Sequence, residues 1–380
     1  MKVSNYSELT GVGIMKKLNL IDELGIDKRI LDEKKQQTDY KIKYVVEYVK
    51  RWLIVAVNRN NISDINFVDC MCNAGIYLDG DLGTSVEIFK LFNEYSYRYP
   101  KIKFNLFVND IDKNKILILN KIIGKFHKNC DNLIVEYSNL DVNEYLLKLN
   151  KDKRLKSYAS MTLLFVDPYN LGTVIITSLK EFISQHYCEV IFNFFISDYT
   201  RNKLDSKIGS CIENEEIKDR NDMIEHVCKS LRVGKMNYLF KYQFRTKTNN
   251  EIYQILYITP HKKGLEKLKE ALWEVFKGKK FHRNNSDYDE VPSLFGKEDE
   301  KKALLSSYAS EAKEILLIRF KNKIVKFVEI EIFLIENTMM QSSDILEYVL
   351  KPLIEMGLVR KCNNTSKRNY KIDSYAIGEG

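Results

Sequence analysis

Four short apolar runs dominate the first half of this chain, and each leads to an aspartate. Ile65 to Val68 ends at Asp69, Phe104 to Val108 at Asn109-Asp110, Leu133 to Tyr137 runs toward Asp141, and Met161 to Val166 ends at Asp167. Helical patterns follow over 84–95, 114–126, the stretch up to Leu149, and 174–185, before a fifth run from Val190 to Ile196. Parallel strands need a crossover of ~12 residues or more, so this alternation predicts an open, mostly parallel α/β sheet of Rossmann type. Two later runs, 236–244 and 252–259, are joined by the polar turn Thr246 to Asn250 and read as an antiparallel pair.

The rest of the chain is organised around that sheet. Residues 39–58 read as a long helix, with Ile42, Val45, Val46, Val49, Leu53 and Val57 at spacings of three and four. The expected division is a helical N-terminal extension over 1–60, the Rossmann-like domain over 61–283, a linker over 284–302 and a C-terminal domain over 303–380. With 380 residues, 44% of them hydrophobic, the chain is long enough for two or three cores. No apolar run approaches the ~20 residues of a membrane span, and MKVSNYSELTGVG lacks a hydrophobic signal core. Seven scattered cysteines do not suggest a disulfide scaffold. A cytoplasmic protein is therefore expected. The net charge of +8 permits an anionic partner without requiring one.

In open α/β sheets ligands bind beyond the carboxyl ends of the strands, so the four acids are the candidates for chemistry. Asp69 opens FVDCMCNAGIY, where Asn73, Ala74 and Gly75 are small enough for a ligand to approach the backbone. The loop lacks GxGxxG, and it reads equally as an ordinary strand-to-helix turn. Asp110, at the tip of the second strand, is placed to accept hydrogen bonds from two ribose hydroxyls, or to cap the next helix as Asp112 does. Asp141 has two readings of equal weight, contact with an adenine amino group or a helix cap. LLFVDPYN places Asp167, the stiffening Pro168 and the aromatic Tyr169 in sequence. A carboxylate there can orient an exocyclic amine while a ring stacks on its base; the bland reading is a good turn.

Asp198 and Arg201, after the fifth run, line a substrate cleft or form a surface ion pair. Cys70-x-Cys72 with five dispersed histidines does not make a zinc site, and no metal is expected. No GxSxG motif supports serine-nucleophile chemistry. Lysines crowd 262–283. The segment 342–372 reads as the second half of a winged helix. A helix capped by Ser343 or Asp344 and carrying Pro352 ends at Gly357, followed by a strand from Leu358, a turn at NNTSK and a return strand over Asn369 to Ile372. Arg360, Lys361, Lys367, Arg368 and Lys371 give that wing a basic face suited to phosphates.

The order of these motifs resembles class I S-adenosylmethionine methyltransferases that act on nucleobase amino groups, with NDID similar to an adenine-methyltransferase second motif. DCMCNAGIY followed by DGDLGTS, Asp167-Pro168-Tyr169 and Ile191-Phe192-Asn193-Phe194 resemble more closely the bacterial three-Cys-motif partner family. The resemblance spans 38–375 and rests on short motifs. It implies S-adenosylmethionine as cofactor, held by Asp69, Asn73, Gly75, Asp110 and Asp141. It also implies a catalytic set of Asp167, Pro168 and Tyr169. Arg201, Arg360, Lys367 and Arg368 would hold a DNA or RNA substrate, and the neighbouring partner would be a radical-SAM-like protein. An association with mobile elements or phage defence follows from the family alone.

Three departures from that family stand out. Asn73 replaces a glycine, Cys70 and Cys72 replace smaller residues, and Asn170 replaces the glycine after the DPY triplet. Asparagine tolerates positive φ but adds a side chain beside the cofactor. A fold retained as a non-catalytic subunit for nucleic acid or a partner protein is the alternative. A Mg2+ nuclease is a third reading, for which the chain lacks the usual carboxylate spacing.

Overall fold

A computed structural model describes residues 20–127, 130–196, 217–245, 251–283, 297–362 and 373–378. It divides into two compact units, one up to Lys235 and one from Met236.

The first unit begins with α1 (Gln36–Val57). It continues β1 (Asp64–Asp69), α2 (Thr84–Arg98), β2 (Lys103–Asn109), α3 (Lys113–Phe126), β3 (Leu133–Ser138), α4 (Val142–Leu149) and α5 (Lys153–Lys156). Then come β4 (Ser160–Val166), α6 (Ile176–Gln185), β5 (Cys188–Phe195) and α7 (Arg220–Leu231). The strands lie in the order β3-β2-β1-β4-β5, and every adjacent pair is parallel. The expected Rossmann-type α/β arrangement is therefore observed here. β1 sits between β2 and β4, the point at which successive connections turn to opposite sides. Such a switch point opens a crevice above the strand ends.

Burial on both faces explains why the strands are continuous apolar runs. Phe67, Val68, Leu106, Val108, Leu164 and Val166 are all essentially inaccessible. Polar exceptions pair with one another. Asn105 donates to Asn66 at 2.8 Å and Asn66 to Thr162 at 3.1 Å, across residues that are opposite in register. Two more join helix to sheet: the Tyr44 and Tyr48 hydroxyls of α1 donate to Asn193 and Glu189 of β5.

The second unit contains β6 (Tyr238–Arg245), β7 (Glu251–Thr259), α8 (Lys262–Phe276) and β8 (Phe281–Arg283). α9 (Lys297–Phe320), β9 (Lys323–Lys326), α10 (Phe327–Asn337), α11 (Ser342–Ile345), a π-helical turn at Leu346–Leu350, α12 (Lys351–Glu355), β10 (Val359–Lys361) and β11 (Ser374–Ile377) complete it. β6 pairs antiparallel with β7, as expected, and parallel with β8. β11 lies between β10 and β9, antiparallel to both.

The unit boundary falls well before the expected 283/284 division because β6 and α8 are tied to the C-terminal helices. Glu336 accepts from the Leu239 amide at 2.8 Å, Lys262 pairs with Glu331 at 2.8 Å, and the buried Lys269 amine donates to the Met340 carbonyl at 2.6 Å. Lys297 to Lys302, expected in a linker, belong to α9.

Two local details differ from expectation. The cap before α11 is Gln341 rather than Ser343 or Asp344. Asp344 instead accepts from the Gln341 amide, closing a reciprocal capping box. The segment through Pro352 is split into α11, the π turn and α12, as a residue without an amide hydrogen requires of the backbone before it. The expected return strand falls within 363–372, outside the described residues apart from its neighbour β11 at Ser374–Ile377.

Candidate functional site

All four predicted acids lie at the carboxyl ends of the parallel strands or in the loops just beyond them. Their local roles differ.

Asp69 is 1% exposed and accepts from the Ser85 hydroxyl at 2.6 Å and the Met71 amide at 3.3 Å. It therefore fastens the first turn of α2 to the end of β1. Burial pushes its carboxyl up to about 7 against those two bonds, with Asp167 and Asp110 adding repulsion. Cys70 and Cys72 are buried free thiols whose pKa values burial raises, which makes them packing residues.

Asp110 joins two loops. Its Oδ2 accepts from the Asn73 amide at 3.0 Å and its Oδ1 from the Asp112 amide at 2.9 Å. Burial raises its pKa, partly offset by those amides. A carboxylate offers about four acceptor positions, so one remains on each oxygen. Ile111, next in sequence, is 71% exposed, a large apolar side chain in the open beside that carboxylate. Asp112 caps α3 and Asp141 caps α4, each accepting at 2.8 Å from the amide two residues on.

Asn73 adopts φ 57 and Gly75 φ 73. The left-handed asparagine is stabilised by its side-chain oxygen Oδ1, which accepts from the Ala74 amide at 2.6 Å. Gly75 faces the protein: a Cβ there would sit 2.4 Å from Leu119 Cδ1 and 2.8 Å from Val86 Cγ2. Its missing side chain lets α2 and α3 close under the loop.

Asp167 is held from α1. Lys41 Nζ lies 2.7 Å from both carboxylate oxygens, and Asn193 donates to Oδ1 at 3.0 Å. Asn193 in turn accepts from Tyr44 at 2.6 Å. Pro168 is buried, and Tyr169 is 55% exposed with Lys115 Nζ 5.5 Å from its ring centroid.

The segment before α1 also reaches this site. Asp32 accepts from Asn73 Nδ2 at 2.7 Å and from Lys115 Nζ at 2.8 Å, while its backbone carbonyl accepts from the Leu78 amide at 3.1 Å. Lys34 pairs with Asp39, Asp79 and Asp81. Half-buried Tyr77 has its hydroxyl pKa raised by burial first and then by Asp167, Asp69, Asp32 and Asp79.

Sequence reasoning missed Asp32, Lys41, Tyr44 and Lys115. One signal was available: Lys41, Tyr44 and Tyr48 are spaced i, i+3, i+7, a second stripe beside the apolar one on the same helix. Asn109 is a scaffold residue. Its side chain donates to the Cys70 and Leu140 carbonyls at 3.1 and 3.0 Å and accepts from the Leu140 amide, stitching the first and third loops together.

Arg360 lies on β10 in the second unit, exposed and opposite Ala376. Arg201, Lys367 and Arg368 lie outside the described residues, as does Asp198. Among the described residues no group of three or more His, Cys, Asp or Glu is arranged to hold a metal, and no helix is long and apolar enough to cross a membrane.

Neither a known family model nor a curated protein matches the sequence. Among solved structures, the chain is similar to a Listeria monocytogenes protein provisionally described as a class I S-adenosylmethionine-dependent methyltransferase. The identity is 7% and the TM-score 0.32, over 67% of this chain and 70% of that one. A superposition that loose carries no argument about activity.

Proposed function

We propose that the first unit binds S-adenosylmethionine beyond the carboxyl ends of β1, β2 and β3 and methylates an exocyclic amino group of a nucleobase in DNA or RNA. The observation that carries this reading is Asp110. It stands at the tip of the strand beside the switch point, each oxygen fixed by one backbone amide and each with acceptor capacity left for a vicinal diol. Ile111 offers the adjacent base an apolar surface. Asn73 supplies the left-handed turn, and Asp69 and Gly75 support the loop from beneath. Asp141 uses Oδ1 for its cap and faces the adenine through its other oxygen.

When bound, the cofactor supplies an electrophilic methyl group. The chain's own residues orient the acceptor. Asp167 takes a hydrogen bond from the acceptor amine, with Lys41 and Asn193 fixing the carboxylate, while Tyr169 stacks on the base. In the second unit, the order α10, α11 with α12, β10, β11 suits a winged helix, and Arg360 with Lys367 and Arg368 contacts phosphates.

One observation favours a second reading. Lys41 already spans both Asp167 oxygens, which suits a non-catalytic subunit that binds nucleic acid or a radical-SAM-like partner protein. Incubation with methyl-tritiated S-adenosylmethionine and mixed DNA and RNA separates the two. Label incorporated by the wild type and lost in Asp167→Ala supports the methyltransferase. Equal incorporation by both proteins removes Asp167 from the mechanism, and no incorporation favours the binding subunit.

A further inference from the structure

A cavity of about 240 Å3 is lined by residues of β2, β3, α4 and the connection into α5. It uses none of the acids described above. Phe107, Tyr137 and Tyr145 give it three aromatic walls. Tyr145 is 2% exposed, and neither its hydroxyl nor that of Tyr137 has a hydrogen-bond partner among the described residues. Neither hydroxyl is a sealed, unsatisfied group, and each can bond a ligand that enters the cavity.

The charges around the cavity do not cancel locally. Its two acids, Glu136 and Asp152, are both engaged by Arg154, whose guanidinium also lies 4.7 Å from the Phe107 ring centroid. Lys148 meets the neutral Ser138 hydroxyl at 3.3 Å, and Lys151 has no partner among the described residues. Two ammonium groups at the end of α4 complement its carbonyl dipole. With Arg154 they set three cations against two carboxylates, a net charge of +1. The volume falls below the ~300–1,000 Å3 of drug-sized pockets, which limits the occupant to about one ring.

We propose that this cavity binds a small planar anion, a single aromatic or heteroaromatic ring bearing a carboxylate or phosphate. The ring lies among Phe107, Tyr137 and Tyr145, the acidic group meets Lys148 and Lys151, and the tyrosine hydroxyls bond its polar edge. This site is independent of the proposed methyl transfer.

Saturation-transfer NMR and calorimetry on the full chain test it, with benzoate, phenyl phosphate, benzyl alcohol and inorganic phosphate as probes. Benzoate or phenyl phosphate is expected to bind in the millimolar range or tighter, and the stronger of the two identifies the acidic group. Benzyl alcohol and inorganic phosphate are expected to bind at least tenfold more weakly. Lys148→Gln with Lys151→Gln weakens the ring anion at least tenfold, Tyr145→Phe weakens it severalfold, and Asp110→Ala leaves it unchanged. Circular dichroism confirms that the variants fold. No binding of either ring anion to the wild type overturns the proposal. So does equal binding of benzyl alcohol, or affinity that survives loss of both lysines.

Discussion

Gly75 has a packing reason to lack a side chain. Its φ of 73 and the 2.4 Å approach to Leu119 Cδ1 both exclude a side chain. Gly75→Ala is expected to destabilise the first unit by about 1–3 kcal/mol, read as a lower urea midpoint with unchanged slope. A midpoint equal to wild type would show that Leu119 and Val86 move aside freely. The sequence reads Gly75 as one of three small residues in the loop, without showing which way the missing side chain points. Asn73 was more legible. Asparagine is the usual substitute at positive φ, and its turn is present at φ 57, while the bond to Asp32, 41 positions earlier, had no local signature.

At the scale of elements, the strands were readable and their partnerships were not. Each apolar run became a strand within a residue or two of its expected ends, because parallel strands buried on both faces need unbroken apolar sequence. The ion pair that fixes Asp167 spans 126 positions and depends on how α1 lies against the sheet. Lys41→Ala leaves that half-buried carboxylate with Asn193 as its side-chain partner among the described residues, and the expected cost is ~1–3 kcal/mol, discounted from a fully buried pair because both partners retain some exposure. Trp52, on the same helix, reports the loss as earlier thermal unfolding by fluorescence. Lys41→Arg restores most of it if the charge is what matters. An unchanged melting temperature in Lys41→Ala would mean that α1 is held by Tyr44, Tyr48 and its apolar face without the pair.

Across the whole molecule the two units should respond to pH in opposite directions. Asp69 in the first unit has its carboxyl pushed up to about 7 by burial, above the 3.8 of an exposed aspartate. Its contribution is full below pH ~4 and is lost as pH rises through 7. Lys269 in the second unit is 1% exposed, and burial lowers its amine to about 7 from 10.5. Folding is penalised while the buried amine must be charged, so the second unit gains stability as pH rises from 7 toward 10.5. The two tryptophans, Trp52 and Trp273, lie in different units and allow separate readout in Trp273→Phe and Trp52→Phe proteins. Between pH 7 and 9 the Trp273 transition is expected to gain on the order of 2 kcal/mol, and Lys269→Met should abolish that slope. Between pH 5 and 7 the Trp52 transition should weaken. Parallel slopes in both units would contradict this assignment.

Under the proposed function, Asp110 holds the diol of a nucleoside cofactor. Titration calorimetry with S-adenosylmethionine and S-adenosylhomocysteine, on wild type and Asp110→Ala, tests it most directly. Micromolar binding to the wild type is expected, weakened at least a hundredfold in the folded variant. No binding to the folded wild type, or equal binding to both proteins, would contradict it.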